Sequence, residues 1–389
     1  MSDPDARSTR LDGADAATVR AALDSQDPLP GTGGFAGLVD GALVRDVLGR
    51  RPLFVEADPD RSGWSFDPTD LRSPRSLPAG TARDPDGDSA GDGPASAERT
   101  VWTLPDPDPV APGDARAAVT DAVRASTRAV DPEGLAVAFS GGVDSAVVAA
   151  GVPEAPLYVA GFEGAHDVAA AREAADAMDR GRDLRVVDLD HADLKRAVPD
   201  LVAATGRRNP MDLAIALPLY LVAERAAADG YDRLAVGQGA DELFGGYAKV
   251  VDPAGDDRVD ADTVRGARRE TVLTLPDQLE RDVLALRAAG VGPVAPLLHD
   301  RVVAAALSLP GDLLVADGER KVALRAAAEG VVPEPVRSAD KKAVQYGTYV
   351  SRELDRLARQ AGFKRRMDDH VGRYVASLCG EEYEDGRGR

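Results

Sequence analysis

The pattern of apolar and polar positions predicts a regular arrangement of strands and helices in the second part of the chain. Short apolar runs predict buried strands at Leu135–Phe139, Leu157–Phe162, Leu184–Leu189 and Leu234–Val236. Apolar residues three or four positions apart predict helices at 114–130, 143–150, 167–179 and 212–229, and a mainly helical region beyond residue 262. Strands that alternate with helices indicate an α/β fold whose parallel sheet is covered by helices on both faces.

The first part of the chain is less regular. Apolar runs predict strands at Phe35–Val39 and Leu53–Val55, whereas residues 81–112 are rich in Asp, Pro, Gly and Ser and are typical of a linker. We therefore expect a small β-rich unit at residues 1–80, a linker at 81–112 and the main domain at 113–389.

Composition adds to this picture because lysine is rare in the chain, so each lysine that is present is a candidate for a functional role. The 389 residues carry a formal net charge of −19, with 49 Asp among 66 acidic residues and only six Lys among 47 basic ones. At molar salt the Debye length is only about 3 Å, so exposed acids hardly repel one another, and this composition favours a halophilic protein over an ordinary acidic one. The same charge disfavours nonspecific binding to nucleic acid or to anionic lipid.

Several classes of protein are excluded by residue counts. One cysteine, Cys379, cannot form a disulfide framework or a thiolate zinc site, and the four histidines show no metal-ligand spacing. No run of about 18 apolar residues predicts a membrane span, and the first residues lack the apolar core of a signal peptide. We therefore expect a cytoplasmic protein.

A candidate phosphate loop follows the first strand of the main domain. The strand at Leu135–Phe139 leads into Ser140-Gly141-Gly142-Val143-Asp144-Ser145 and then into a helix. Glycines let backbone N–H groups approach an anion, and a helix start adds a positive dipole. Asp144 would repel a bare phosphate, so it suggests a bridging Mg²⁺. The alternative is a glycine turn that is merely capped by Ser and Asp.

A second glycine turn repeats this arrangement. Leu234–Val236 leads into Gly237-Gln238-Gly239-Ala240-Asp241-Glu242-Leu243-Phe244-Gly245-Gly246-Tyr247. If the two strands are neighbours, Asp241 could hold the same Mg²⁺ as Asp144. Glu242 is either a further site carboxylate or a capping residue at a helix start. The bland alternative is a flexible acidic loop.

Together the two motifs, about a hundred residues apart, resemble the synthetase domain of the asparagine synthetase family, within the PP-loop ATP pyrophosphatases. The resemblance continues through Val159–Glu163, which with Asp167 is similar to the region that faces the adenosine and includes Phe162. Ala295–Pro310 and Gly318–Arg325 resemble later family segments, and the second of these places Lys321 at the family's lysine. Arg337, Lys341 and Lys342 resemble the basic stretch beyond it. The resemblance covers residues 113–350 and implies a PP-loop, adenine nucleotide alpha hydrolase-like sheet.

The resemblance also reaches the first part of the chain, but in shortened form. Gly33–Leu38 is similar to the opening of the family's glutaminase domain, with Gly33 where that domain has its nucleophilic Cys. Arg45–Leu53, Leu77–Gly80 and Trp102–Leu104 resemble later pieces, and the middle is missing. Glutamine hydrolysis by this route needs a thiolate next to its own α-amine. We expect a remnant without glutaminase activity, so that nitrogen would come from ammonia, another amine or a separate ammonia-supplying protein.

The family resemblance implies an ATP- and Mg²⁺-dependent ligase that adenylates a carboxylate, aspartate being favoured, for attack by ammonia. It assigns ATP contacts to the following residues: Ser140, Gly141, Gly142, Asp144, Ser145, Phe162, Gly237, Gly239 and Lys341. It assigns Mg²⁺ to Asp144 and Asp241, and catalytic positions to Lys321, Asp241 and Gln238.

Three departures from the family pattern leave other functions open. Gln238 stands where asparagine-forming members have Glu and cannot accept a proton from an attacking ammonium. His299-Asp300 reverses the usual order, and Val294 stands near an expected Arg. The alternatives are another PP-loop adenylating ligase with a different acid or amine, or a non-catalytic ATP-binding partner subunit. An RNA substrate is disfavoured because the Arg residues are dispersed among acids.

Overall fold

The computed structural model describes residues 10–58, 61–84, 98–339 and 346–380, and for 346–348 the backbone only. The described part of residues 10–100 contains one α-helix and eight short strands. These elements are β1 (Arg10–Asp12), α1 (Ala16–Ser25), β2 (Ala36–Val39), β3 (Ala42–Arg45), β4 (Phe54–Glu56), β5 (Trp64–Ser65), β6 (Pro74–Ser76), β7 (Thr81–Arg83) and β8 (Glu98–Thr100).

The strands of this N-terminal unit form two antiparallel sheets, in the orders β1-β2-β3-β7-β8 and β5-β4-β6. Leu43, Leu53 and Leu77 belong to a small separate core, against which Trp64 and Phe66 pack. Other side chains of the unit, including Phe35 and Trp102, join the main core of the protein. The unit is therefore packed onto the rest of the chain by a continuous apolar contact.

The next part of the chain alternates strands and helices. It contains α2 (Pro112–Arg128), β9 (Leu135–Ala138), α3 (Val143–Gly151), β10 (Leu157–Phe162), α4 (His166–Ala177), β11 (Leu184–Leu189), α5 (His191–Thr205), α6 (Pro210–Ala228), β12 (Arg233–Ala235), α7 (Ala240–Phe244), α8 (Ala248–Val251), α9 (Val264–Leu273), α10 (Leu275–Ala288) and β13 (Gly292–Val294).

The five strands β9 to β13 form one parallel sheet in the order β11-β10-β9-β12-β13. From β9 the chain first adds strands on one side and then returns to add β12 and β13 on the other. The order therefore reverses between β9 and β12, where Leu135 pairs with Arg233 and Val137 with Ala235. In open α/β sheets, ligands bind at such a switch point, outside the carboxyl ends of the strands.

The last part of the described chain is mainly helical. Its elements are α11 (Asp300–Leu307), α12 (Gly311–Leu314), β14 (Val315–Ala316), β15 (Glu319–Arg320), α13 (Val322–Ala327), α14 (Glu334–Arg337), α15 (Tyr346–Gln360) and α16 (His370–Leu378). Two large apolar clusters cover the two faces of the sheet: α2, α3, α11 and α13 contribute to one, and α5, α6, α15 and α16 to the other. The predicted mixed α/β architecture with helices on both faces is confirmed.

The structure differs from the sequence prediction in several places. Helix α5 was missed, although its buried Leu194, Val198 and Leu201 keep a helical spacing and Asp190 forms a capping box. Strand β13 was missed because three residues containing Pro293 give no periodic signal. Thr81–Arg83 and Glu98–Thr100, which lie in the predicted linker, pair with each other and extend the N-terminal sheet.

The division into three segments otherwise stays a prediction. Among the residues that the structure describes, none of the helices has the length and apolar character of a membrane span.

Candidate active site

The two glycine turns meet at the switch point of the sheet. The first follows β9 and leads into α3, and the second follows β12 and leads into α7. A Cβ atom on Gly237 would lie 3.0 Å from the backbone carbon of Asp144 and 3.1 Å from the backbone nitrogen of Ser145. A side chain at Gly237 would therefore separate the turns, and glycine allows their backbones to touch.

The first turn is organised by its own residues. The Oγ of Ser145 accepts from the backbone N–H of Ser140 at 3.2 Å and donates to the carbonyl of Gly142 at 3.1 Å. Gly141 has φ of +79°, and a Cβ there would lie 2.7 Å from the carbonyl oxygen of Ala170. The turn thus requires glycine at 141 on both conformational and steric grounds.

The rim of this turn is suited to an anion. A Cβ on Gly142 would meet nothing closer than the Oγ of Ser140, at 3.7 Å, so the space above Gly142 is open. Helix α3 begins at the next residue without a side-chain cap on its first N–H groups. Backbone N–H groups, the helix dipole and the hydroxyl of Ser140 together form the kind of cradle that binds phosphate.

Lys321 joins the two turns. Its Nζ lies 2.8 and 2.6 Å from the two carboxylate oxygens of Asp144 and 2.7 Å from Oδ1 of Asp241. The side chain is 5% exposed, and those of the two acids are 20% and 18% exposed. Lys321 has a left-handed φ of +61° at the start of α13, and its N–H donates to the carbonyl of Leu314 at 2.8 Å. The backbone thus turns sharply at this lysine, whose ammonium lies between the carboxylates.

The electrostatics of this trio favour a charged lysine. Burial by itself lowers the pKa of Lys321, but the nearby charges of Asp144 and Asp241 outweigh it, so the pKa is raised above its ordinary value. Two carboxylates and one ammonium leave a net negative charge at the entrance to the phosphate cradle. That negative charge favours binding of a divalent cation together with phosphates.

The residues present fit a Mg²⁺ ion that is bound with a nucleotide. Asp144 and Asp241 face one point from two sides, and carboxylates are hard oxygen ligands of the kind Mg²⁺ prefers. Among the described residues, no group of three or more His, Cys, Asp or Glu is arranged for a metal. A Mg²⁺ ion here would therefore complete its coordination with phosphate oxygens and water, as is usual for nucleotide sites.

The second turn is held by side chains from elsewhere in the chain. Gly239 has φ of +87°, and a Cβ there would lie 2.4 Å from the side chain of Leu298. The amide nitrogen of Gln238 donates to Oδ2 of Asp282 on α10 at 2.5 Å, and Arg281 donates to the other oxygen of Asp282 at 2.7 Å. Burial raises the pKa of Asp282, and the charge of Arg281 opposes that rise.

These two α10 residues were missed by sequence reasoning. Asp282 follows Gln238 by 44 positions, and the Arg-Asp pair inside a helix gives no local signal. Only the packing of α10 beside the sheet brings it to the second turn.

Glu242 is the buried carboxyl group of the second turn. It is 5% exposed and accepts a hydrogen bond from the hydroxyl of Tyr247. Burial raises the pKa of Glu242 against the effect of that hydrogen bond, and the neighbouring charge of Asp241 raises it further. A buried carboxyl group with a tyrosine partner fits a structural role in the turn.

The remaining predicted ATP contacts lie differently. Phe162 ends β10, the strand next to the phosphate loop, and its ring centre is 6.2 Å from that of His191. It therefore lies at the carboxyl edge of the sheet, where the adenosine contact is expected. Lys341 lies outside the described residues, as does its neighbour Lys342.

The reversed pair His299-Asp300 lies at the contact with the N-terminal unit. His299 caps α11 by accepting from the N–H of Arg301, whereas Asp300 is 1% exposed and accepts from the N–H groups of Gly31 and Thr32 at 3.0 and 2.7 Å. Asp300 also pairs with Arg50 at 2.7 Å. Asp300 thus attaches the loop before Gly33, rather than facing a substrate.

Arg50 extends this contact to the second turn. It donates to Asp46 at 2.8 Å and to the carbonyl of Leu298 at 2.7 Å, and Leu298 packs on Gly239. Gly33 itself is exposed, and a Cβ there would meet nothing within 4 Å. The N-terminal unit therefore supports the second turn through Arg50, whereas Gly33, which stands where the family's glutaminase has its Cys, is exposed.

Comparison with known proteins agrees with this geometry. Residues 114–270 and 255–377, together more than half of the chain, match the asparagine synthase family. The chain is 26% identical over 303 residues to a protein of Methanocaldococcus jannaschii named as a putative glutamine-hydrolysing asparagine synthetase. It is 30% identical over 125 residues to a nodule glutamine-hydrolysing asparagine synthetase of Pisum sativum.

Both alignments are partial. The first covers 68% of this chain and 54% of the archaeal protein, and the second covers 28% and 21% of the respective chains. The chain thus spans about half the length of the archaeal relative, and a smaller part of the plant one.

Proposed function

Because the chain belongs to the asparagine synthase family, we propose that it is an ATP-dependent carbon–nitrogen ligase that adenylates a carboxylate and transfers it to an amine. One observation carries this proposal: Lys321 contacts Asp144 of the first glycine turn and Asp241 of the second at the switch point of the sheet. A phosphate cradle, two metal-binding carboxylates and one buried cation meet there. Such a set supports charge compensation during phosphoryl chemistry, which a purely structural role does not require.

In the proposed reaction, an oxygen of the substrate carboxylate attacks the α-phosphorus of ATP. The bond from the α-phosphorus to the bridging oxygen breaks, and pyrophosphate leaves from the cradle formed by Ser140–Ser145. A bound Mg²⁺ would neutralise phosphate charge and would be held by Asp144 and Asp241. Lys321, a compact point charge, would move from its carboxylate partners to the charge that grows on the α-phosphate.

The amine then attacks the acyl carbon, AMP leaves, and the nitrogen loses a proton. Gln238, beside the metal-binding acids, can accept a hydrogen bond from the amine but cannot take its proton. The proton must then pass to solvent or to a phosphate oxygen. This favours an amine that reacts in its neutral form, with ammonia as the simplest one.

Aspartate is the acid that the family favours, and the site chemistry keeps it as the first substrate to test. We propose that the chain makes no ammonia of its own, because Gly33 provides no nucleophile where the family's glutaminase has Cys. Free ammonia or a separate ammonia-supplying protein would then be the nitrogen source. The acidic composition would suit catalysis at high salt.

Pyrophosphate release tests the proposal. Purified protein with Mg-ATP and aspartate, assayed at low and at molar salt, should release pyrophosphate and AMP when ammonium is added. Release only with another acid would support the ligase function and would identify that acid, rather than aspartate, as the substrate. ATP binding without release from any amino acid would instead support a non-catalytic partner subunit.

A further inference from the structure

We propose that Asp282 is a positioning residue that fixes the orientation of the Gln238 amide, so that the amide oxygen is presented to the attacking amine. This inference rests on the proposed ligase function and concerns its second step only. It explains how a site with Gln at this position can still receive an amine.

The orientation follows from what each group can donate. An ionised carboxylate only accepts hydrogen bonds, whereas a side-chain amide has a donor end and an acceptor end. Oδ2 of Asp282 lies 2.5 Å from Nε2 of Gln238. The donor end is thereby taken up, and Oε1 is left as the end that accepts no hydrogen bond from any described residue.

Arg281 keeps Asp282 in the role of acceptor. Its Nε donates to Oδ1 of Asp282 at 2.7 Å, and its Nη1 donates to Asp212 at 2.9 Å. The side chains of Arg281 and Asp282 are 7% and 10% exposed, so the pair is fixed in the interior. The guanidinium thus holds Oδ1 of Asp282, and Oδ2 is left as the oxygen that faces Gln238.

The place of Gln238 in the fold directs this acceptor at the reaction. Gly237 before it packs on Asp144, and Gly239 after it packs on Leu298, so the residue lies at the strand end that carries the metal-binding acids. Gln238 is half-buried, whereas Asp282 behind it is buried. The amide therefore stands between the interior carboxylate and the space where the acyl group would lie.

The same charge network continues to the N-terminal unit. From Asp212 it passes through Arg207 and Glu280 to Arg45 on β3, with separations of 3.7, 3.7 and 3.3 Å. Asp282 is thus set by two elements, its own helix and the unit that lies against that helix. This gives the N-terminal unit a physical connection to the amine-binding residue.

Three variants test the orientation: Asp282→Asn, Gln238→Glu and the two combined. In Asp282→Asn, the new amide must keep its oxygen for Arg281 and turn its NH2 towards Gln238, which then flips and presents its own NH2 to the amine. We expect ammonium-dependent kcat/KM with aspartate to fall by about 10-fold or more, the effect of one misplaced hydrogen bond. Aspartate-dependent ATP–pyrophosphate exchange, which needs no amine, should stay within about threefold of wild type.

The combined variant distinguishes a change in the orientation of the side chain at position 238 from general damage to the site. Gln238→Glu alone places two carboxylates in contact and should also lose ammonium-dependent activity. In the combined variant, the NH2 of Asn at 282 donates to Glu at 238, whose second oxygen again faces the amine, so activity should return to within about threefold of wild type. Asp121→Asn, at an exposed position of helix α2, is the control and should change neither reaction.

Thermal stability tests the orientation of the Gln238 amide without any substrate. Gln238→Glu should lower Tm in the wild-type background and should be tolerated in the Asp282→Asn background, because only the first places two carboxylates in contact. Additive effects on Tm, or loss of exchange together with amine transfer in Asp282→Asn, would overturn the proposal. Absence of exchange in the wild-type protein would instead overturn the proposed function, and the Tm cycle would still decide the orientation.

Discussion

The two glycine turns stand side by side at one sheet edge, yet they are held in different ways. The first is built by its own residues, with Ser145 bonded to Ser140 and to Gly142. The second is held by Asp282 from α10 and by Leu298 from the loop before α11. A self-contained turn suits the phosphate binding that we propose for it. If the second turn receives the amine, as we propose, changes in its supports could alter the choice of amine without disturbing the first turn.

The largest effect is expected at Lys321, which contacts both glycine turns. Lys321→Ala should lower pyrophosphate release at least about 10³-fold, because it removes the cation from both turns. It also leaves Asp144 and Asp241 facing each other without their lysine, so Mg²⁺ should raise the Tm of this variant more than that of wild type. Thermal shift with and without Mg²⁺, beside pyrophosphate assays, measures both effects.

Lys195→Ala is the control, since Lys195 is exposed on α5, away from this trio of charges. Near-normal release from the Lys321 variant, or an equal response to Mg²⁺ in variant and wild type, would show that Lys321 does not belong to the active site.

Arg50 of the N-terminal unit contacts Leu298, which packs on Gly239, so a substitution of Arg50 should weaken the support of the second turn. Arg50→Ala leaves Asp46 and Asp300 buried without their partner and should cost about 3–5 kcal/mol of unfolding free energy. Arg20→Ala removes an ion pair of the same unit whose side chains are 46% and 56% exposed, and should cost far less than the Arg50 variant. Urea unfolding of both variants measures the difference, and equal costs would mean that the Arg50 contacts do not hold the unit in place.

The first turn should separate folding from binding at adjacent positions. Gly141→Ala forces a left-handed alanine against the carbonyl of Ala170 and should cost about 2–3 kcal/mol of stability. Gly142→Ala has an ordinary φ of −82° and open space, so its stability should change by less than about 1 kcal/mol. Its methyl group enters the cradle and should weaken ATP binding about 10-fold, as measured by titration calorimetry. A stable Gly141→Ala variant would show that the turn is not built as described.

The smallest effect is expected at Gly33, which touches neither turn. Gly33→Cys should change the free energy of unfolding by less than about 0.5 kcal/mol, because a side chain there meets nothing. It should not create glutamine-dependent amide formation, since the peptide bond to Thr32 leaves no α-amine to act as the base. Glutamine turnover by this variant would show that the remnant keeps more of the glutaminase than we infer.

The difference between the turns also explains how far the sequence could predict the site. The first turn is six adjacent residues between a strand and a helix, and local chemistry was enough to place Asp144 and both serines. The pairing of β9 with β12 needed only the assumption that similar turns belong to neighbouring strands. Lys321 was found through the family resemblance and the rarity of lysine, because no local pattern marks its left-handed position.

What the sequence could not predict was the support behind the second turn. Asp282 and Arg281 lie on a helix that is far away in the chain, and their charges look like those of any solvated helix face. Arg50 and Asp300 are equally inconspicuous until packing buries them together. Such pairs depend on tertiary contacts, which apolar periodicity and short motifs do not report.

The central claim is that a carboxylate attacks the α-phosphorus of ATP at the junction of the two turns. Transfer of ¹⁸O from a labelled substrate carboxylate tests it most directly. With [¹⁸O]aspartate, Mg-ATP and ammonium, the account predicts one labelled oxygen in AMP and none in pyrophosphate, with the label absent from AMP in the Lys321→Ala variant. Label in inorganic phosphate with formation of ADP would contradict the account, because the attack would then be on the γ-phosphorus.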